Sequence, residues 1–305
     1  MAVRRRHAQS GVSARSRPIR VRALAKINLS LRILGTHADG YHELRTTFQS
    51  LALHDTLTLT PTRGPFTLSA DDAACPVDST NLVWRAADLL WRKGRGRGRP
   101  SGVSVHLEKR IPMQAGLGGG SSNAAAALRG LMRIWDLRLS EAELHQIASS
   151  LGADVAYFLR GGTALGVGRG EILFPLEDRP STRVVLVQPA FGVSTRDAYG
   201  WWDAANAVGF SAAAGSWTPA GGEQGNDLES AVAARHPEIR KIVQRLRRLG
   251  AADAAMSGSG SAVFGLFSSE SEAFASADAL AGPARRVTVT RTINRREYER
   301  LTAPA

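Results

Sequence analysis

The sequence predicts two α+β lobes, divided near residue 180. Three observations carry that expectation. Residues 103–135 read as a strand, a glycine-rich loop and an alanine-rich helix in direct succession. The texture then changes near residue 180, where RVVLVQP (183–189) is a continuous apolar strand. Further on, AAMSGSGSAVFGLF is a second small-residue loop feeding a strand, and a helix around Phe274 with a strand at 287–293 completes a β-α-β unit. No internal repeat is present.

Composition narrows the class. A chain of 305 residues with 43% hydrophobic and 22% charged residues is that of a globular protein. No apolar run approaches the roughly 18 residues of a membrane span. The single cysteine, Cys75, excludes an internal disulfide and fits a reducing compartment. Residues 1–18 are rich in Arg, Ser and Ala, contain no acid and lack an apolar core, so they are not a secretory signal. We read them as a disordered basic tail on a cytoplasmic protein; a plastid location follows only if that tail is a transit peptide. The net charge of +12 resembles that of a nucleic-acid binder, but seven arginines from Arg4 to Arg22 and five cations from Arg92 to Arg99 account for all of it. A groove-reading surface carries its charge within the fold, so no specific nucleic-acid partner is expected.

In chain order, residues 19–33 alternate as a strand, with a lysine, Lys26, inside an apolar stretch. Only Lys26, Lys93, Lys109 and Lys241 are lysines among the 39 basic residues. A turn at 35–40 precedes DGYHEL. LTLT (57–60) and FTLS (66–69) read as strands separated by a turn from Pro61 to Pro65. NLVWRAADLLW (81–91) is helical, with Leu82, Ala86, Leu89 and Leu90 on one face. The Gly-Arg stretch 94–99 is a loop. After the glycine loop, SEAELHQIASSLG is a helix with a Ser140–Glu143 capping box and Gly152 at its C-terminal end. ADVAYFL and a glycine-rich return, GGTALGVGRGE, lead to ILFPL. Residues 200–226 look irregular. PEIRKIVQRLRRLG is an amphipathic helix ending at Gly250.

The loop from Gly116 to Gly120 points to chemistry. A strand, a flexible loop and a helix in that order place unpaired backbone N–H groups and a positive dipole end at one point, which binds anions and phosphate above all. A plain linker joins polar segments, whereas this one lies between an apolar strand and an apolar helix. A dinucleotide fingerprint follows its strand directly, and here six residues, Arg110 to Ala115, intervene. A Walker loop needs a lysine after its glycines, and none is present.

Three elements together resemble the GHMP kinase superfamily: the lysine strand AKINLSL (25–31), PMQAGLGGGSSNA (112–124) and MSGSGSAVF (256–264). DGYHEL (39–44), TNLVWRA (80–86), LGADVAYFLRGGTA (151–164), GEILFPL (170–176) and NDLE (226–229) extend the resemblance over most of residues 19–293. They narrow it to members acting on a cytidine-diphosphate-linked polyol in the non-mevalonate isoprenoid pathway. Homoserine- and mevalonate-type kinases, the alternatives, would have no reason to carry DGYHEL. A basic RNA-binding protein with an S5-like fold is a further alternative.

The resemblance implies an ATP-binding N-terminal lobe over 19–180, like ribosomal protein S5 domain 2, and a ferredoxin-like, substrate-binding C-terminal lobe over 181–305. It implies transfer of the ATP γ-phosphoryl to a tertiary alcohol with Mg²⁺, by a monomer or weak homodimer acting on a small molecule. ATP would be held by Pro112, Met113, Gln114, Ala115, Gly116, Leu117, Gly118, Gly119, Gly120, Ser121 and Ser122, with Asn81 near the adenine. Asp154 matches the general base and Lys26 the active-site lysine. On the residues alone Asp154 reads equally as a helix N-cap, and Lys26 as an edge-strand surface charge. Asn28 matches a substrate contact, Tyr41 and His42 the cytosine-recognition pair, and Tyr199 the aromatic closing the other face of the base. No all-protein metal site is evident; Ser121 or Ser122 is a candidate ligand. The tail, the 94–99 loop and the Trp-rich stretch 201–217 have no counterpart in the family pattern.

Overall fold

The computed structural model describes residues 17–37, 39–94, 97–206 and 225–305. The first sheet is built on a long hairpin. Strand β1 (Ile19–Thr36) pairs antiparallel with β2 (His42–Pro65) along most of their length, with register shifts between Leu24 and Lys26 and between Asn28 and Ser30. Such shifts re-aim side chains locally, and here they fall on the stretch that carries the strand's buried polar residues, Lys26, Asn28 and Ser30. β3 (Thr67–Ala70), helix α1 (Leu82–Gly94) and β4 (Ser101–Glu108) follow, and the strand order is β3-β4-β2-β1. Next come α2 (Gly119–Ile134), α3 (Glu141–Leu151) and the single turn α4 (Ala153–Tyr157). β5 (Thr163–Gly168) pairs with the first half of β2, and β6 (Ile172–Pro175) with β5.

The second sheet begins with β7 (Arg183–Pro189). After it come α5 (Thr195–Asn206), the two-residue β8 (Gly225–Asn226), α6 (Asp227–Arg235) and α7 (Glu238–Arg248). β9 (Asp253–Met256), β10 (Val263–Phe267), α8 (Glu270–Leu280) and β11 (Arg285–Arg291) complete it, and α9 (Arg295–Thr302) ends the chain. The order β11-β7-β10-β9, antiparallel throughout, is the fourth-first-third-second arrangement of a ferredoxin-like lobe. Apolar residues of β1, Ala25, Ile27 and Leu29, pack with Val184, Leu186 and Phe264 of the second sheet and with Ile111, Ala115 and Leu117. The stretch leading into the glycine loop is therefore part of the core that joins the lobes.

Several expectations are corrected. The turn from Pro61 to Pro65 is absent: β2 runs through it, and the missing proline N–H groups fall at a register irregularity against β4. Residues 200–206 are helical, because α5 buries Ala198 and Trp202 in the second core; Gly225 and Asn226 pair in parallel with Ser30 and Leu31. Residues 207–217 of the Trp-rich stretch, 95–96 of the Gly-Arg loop and 1–16 of the tail lie outside the described residues. Residues 293–305, expected in the second lobe, pack on the first. Tyr298 is buried in the first core and donates to Phe158 O at 2.7 Å, and Arg20 and Ala305 exchange backbone hydrogen bonds. That docking needs Gly161, since a Cβ there would lie 2.3 Å from the Tyr298 ring.

Candidate active site

A cleft of about 1580 Å³ runs between the lobes. Its centre is the glycine loop. Gly118, at φ 70, turns the chain into α2 in the left-handed region that glycine enters without strain. The helix starts at Gly119, earlier than the alanine run indicates. Ser122 N–H makes the first intrahelical bond, to Gly118 O at 2.9 Å, so the amides of Gly119, Gly120 and Ser121 precede the ladder, an arrangement chemically suited to an anion. Both lobes hold the loop in place. Lys26 N–H donates to Leu117 O at 3.1 Å, Ala262 N–H to Ala115 O at 3.2 Å, and Ser257 Oγ to Gly116 O at 2.9 Å.

Beneath the loop lies a charged cluster. Lys26 is buried, and its Nζ donates to Asn28 Oδ1 at 2.6 Å and pairs with Asp154 Oδ2 at 3.3 Å. The Phe48 ring lies 5.5 Å from Nζ, a favourable face for a cation. The surface-charge reading of Lys26 is thereby overturned. Asn28 is oriented in turn, its Nδ2 donating to Thr46 Oγ1 at 2.7 Å. Asp154 sits in the first turn of α4, but the cap position is Gly152 and no side-chain cap bond forms. Its carboxylate faces the cleft with 32% of the side chain exposed.

On the other flank, Lys109 enters the cleft wall beside Gly119. Its ammonium pairs with Asp55 at 2.5 Å and reaches Asn123 Oδ1 at 3.2 Å. Asp55 also accepts from the amides of Arg110 and Ile111 and from Asn123 Nδ2. Sequence reasoning missed this pair. The scarcity of lysine was the one available signal, and it marks Lys109 as well as Lys26.

The far end of the cleft is aromatic. Tyr41 is 56% exposed, and the Arg169 guanidinium, paired with Asp39, covers one face of its ring at 3.7 Å. His42 is buried; its Nε2 meets Asp203 Oδ1 at 2.7 Å and its ring stacks on Tyr199 at 4.7 Å. Burial, reinforced by the charge of Asp154, pushes the Tyr199 phenol well above its ordinary pKa, so it stays neutral.

The cleft thus gathers Lys26, Asn28, Tyr41, His42, Asp154, Tyr199 and every residue from Pro112 to Ser121. Two expected residues stand apart. The Asn81 side chain caps α1 through Val83 N–H at 2.9 Å and donates to Pro76 O at 2.6 Å, which turns it away from the cleft. Ser122 is buried behind the loop, and its Oγ has no hydrogen-bond partner.

Comparison with known proteins agrees with this architecture. The family model for the GHMP kinases N terminal domain matches residues 81–162, and that for GHMP kinases C terminal matches residues 187–284. A 4-diphosphocytidyl-2-C-methyl-D-erythritol kinase of Bacillus cytotoxicus is 39% identical, over 91% of this chain and 98% of the relative. One of Solibacter usitatus is 44% identical, over 83% of this chain and 82% of the relative. A crystal structure of 4-(cytidine 5'-diphospho)-2C-methyl-D-erythritol kinase superposes with a TM-score of 0.74 at 34% identity, covering 90% of this chain and 98% of the other.

Proposed function

The chain belongs to the 4-diphosphocytidyl-2-C-methyl-D-erythritol kinases, a branch of the GHMP kinases, and from that premise we propose that it transfers the γ-phosphoryl of ATP to the 2-hydroxyl of 4-diphosphocytidyl-2-C-methyl-D-erythritol. The observation that carries the reading is the Lys26–Asp154 pair at 3.3 Å, set below the glycine loop in one cleft with the Tyr41–His42 end.

The roles follow from that arrangement. The phosphates of ATP rest on the amides of Gly119, Gly120 and Ser121 and on the rest of the Pro112–Ser122 segment. Asp154 takes the proton of the substrate alcohol. Lys26 favours the ionised form of Asp154 and the alkoxide as it develops. Two of its three N–H donors face Asn28 and Asp154, which leaves one for a substrate or phosphoryl oxygen. Asn28, oriented by Thr46, contacts the substrate beside the reacting hydroxyl. Tyr41 offers its uncovered face to the cytosine, His42 its polar groups, and Tyr199 a second aromatic wall.

Phosphoryl transfer also calls for a divalent cation, Mg²⁺ in this reading, to neutralise charge on the phosphates. Among the described residues no group of three or more His, Cys, Asp or Glu side chains could hold one alone. The hydroxyl of Ser121, which lines the cleft at the loop, fits as a protein ligand to a phosphate-borne ion, whereas that of Ser122 is buried and does not line the cleft. We further read the protein as a cytoplasmic monomer or weak homodimer with no specific nucleic-acid partner, since two stretches of the sequence, Arg4 to Arg22 and Arg92 to Arg99, account for its net charge.

Coupled ADP release with the cytidylyl substrate, homoserine and mevalonate offered in turn tests the assignment. Turnover of the cytidylyl substrate alone is expected; comparable turnover of either other alcohol would end it.

A further inference from the structure

The segment NDLE, 226–229, has no part in the chemistry described so far, yet its polar side chains are fully engaged. Asn226 caps α6 by accepting from Leu228 N–H at 3.0 Å, and both hydrogens of its amide are used elsewhere, on Met256 O at 2.8 Å and Gly258 O at 2.7 Å. Glu229 accepts from Met256 N–H at 2.8 Å. Asp227 reaches the other way, to Arg32 Nη1 at 2.6 Å and Ile33 N–H at 2.9 Å on β1. Capping alone needs only an acceptor, which Ser, Thr or Asp supplies as well as Asn. The extra donors of Asn226 tie α6 to the small-residue loop at 256–262.

That loop touches the reacting groups. Ser257 is fully buried; its Oγ accepts from Asn28 N–H at 3.3 Å and donates to Gly116 O at 2.9 Å, joining the substrate strand to the phosphate loop through one hydroxyl. A Cβ on Gly258 would lie 3.1 Å from Asn28 Oδ1 and 3.3 Å from Lys26 Nζ, so the backbone there packs directly on the pair. We propose that Asn226, Asp227 and Glu229 are positioning residues for phosphoryl transfer: anchored on β1, they fix the Ser257–Gly258 turn against Lys26 and Asn28 and so set the spacing between the acceptor alcohol and the phosphate loop. The proposal rests on the kinase reading above.

Asn226→Ser separates this role from capping, because serine keeps a cap acceptor and loses both donors to the loop. In the full chain, with ATP and the cytidylyl substrate, kcat should fall by about 10- to 100-fold, the scale of a roughly 1 Å misplacement. Both KM values should stay within about threefold and the melting temperature within a few degrees. Glu229→Ala should behave alike, and Glu229→Gln, which restores an acceptor for Met256 N–H, should recover most of its loss. Backbone hydrogen exchange gives a readout independent of activity: in Asn226→Ser it should rise over 256–262 and not over α6. Wild-type kcat in Asn226→Ser, unchanged exchange over 256–262, or a kcat loss that merely follows the folded fraction would each overturn the clamp. A wild-type protein that fails to phosphorylate the cytidylyl substrate would overturn the kinase reading instead, and the exchange measurement would still decide the clamp.

Discussion

Two lysine–aspartate pairs flank the glycine loop, Lys26–Asp154 on one side and Lys109–Asp55 on the other. The Asp55 side chain is 0% exposed and accepts from Lys109, the amides of Arg110 and Ile111, and Asn123 Nδ2. Asp154 has one charged partner at 3.3 Å and an open face on the cleft. The two pairs share one chemistry, and saturation separates them. A carboxylate whose acceptor sites are filled by fixed donors has none left for a substrate, and it orients the chain entering the phosphate loop. One left incomplete toward a cleft can accept a proton.

The largest effect expected from this contrast is on turnover. Asp154→Asn should lower kcat by about 10²- to 10⁴-fold, the usual range for a general base, with KM and melting temperature nearly unchanged. Lys26→Met should cost a comparable factor, and the double variant little more than the worse single, as for groups serving one transition state. Steady-state kinetics beside thermal unfolding checks both; full activity in Asp154→Asn would erase the distinction between the pairs.

Asp55→Ala should do the reverse. Removing one partner of a buried pair leaves the other charge uncompensated, at a cost of about 3–5 kcal/mol in folding free energy, measurable by denaturant titration. A fall in kcat at unchanged stability would place Asp55 with the chemistry.

Between the pairs, the glycines sharpen the same test. Gly118→Val should destabilise the fold as well as ATP binding, since a Cβ there would lie 2.6 Å from the Phe158 ring. At Gly120 the nearest atom to a Cβ is Leu82 Cδ1 at 3.8 Å. Gly120→Val should therefore leave the melting temperature intact while weakening ATP roughly tenfold, about 1.4 kcal/mol. Calorimetric titration of each variant with ATP separates the two.

The smallest effect concerns an exposed carboxylate at the start of α3. The Lys93 ammonium, then the Ser140 amide and hydroxyl, hold the Glu143 carboxyl down to about 2. A folded value below the unfolded 4.5 means that its stabilisation is complete above about pH 4.5 and is lost as the pH falls toward 2. Ser140→Ala should cost about 1 kcal/mol near neutral pH, and the gap from wild type should shrink on acidification. A gap independent of pH would detach Glu143 from the cap.

The features legible in the sequence are those whose signals are local. The capping box at Ser140 and Glu143 recurs as read, since both groups lie within one helical turn. Asn81 is the complementary case: its place at the start of a helix was visible, but not that its side chain would cap α1.

By itself the sequence determined the alternating strand around Lys26, the glycine loop running into a helix, the amphipathic α7 and the two-lobed α+β class. Each depends on residues a few positions apart, where backbone geometry alone places them. Only the tertiary structure decided which polar groups meet: Lys109 with Asp55, His42 with Asp203, and Ser257 with both Asn28 and Gly116. Those partners are 54 to 229 residues apart in the chain. No periodicity encodes such separations: the pairing of β2 with β4 brings Lys109 to Asp55, the placing of α5 brings Asp203 to His42, and the packing of β1 and the glycine loop against the second sheet brings Ser257 to Asn28 and Gly116.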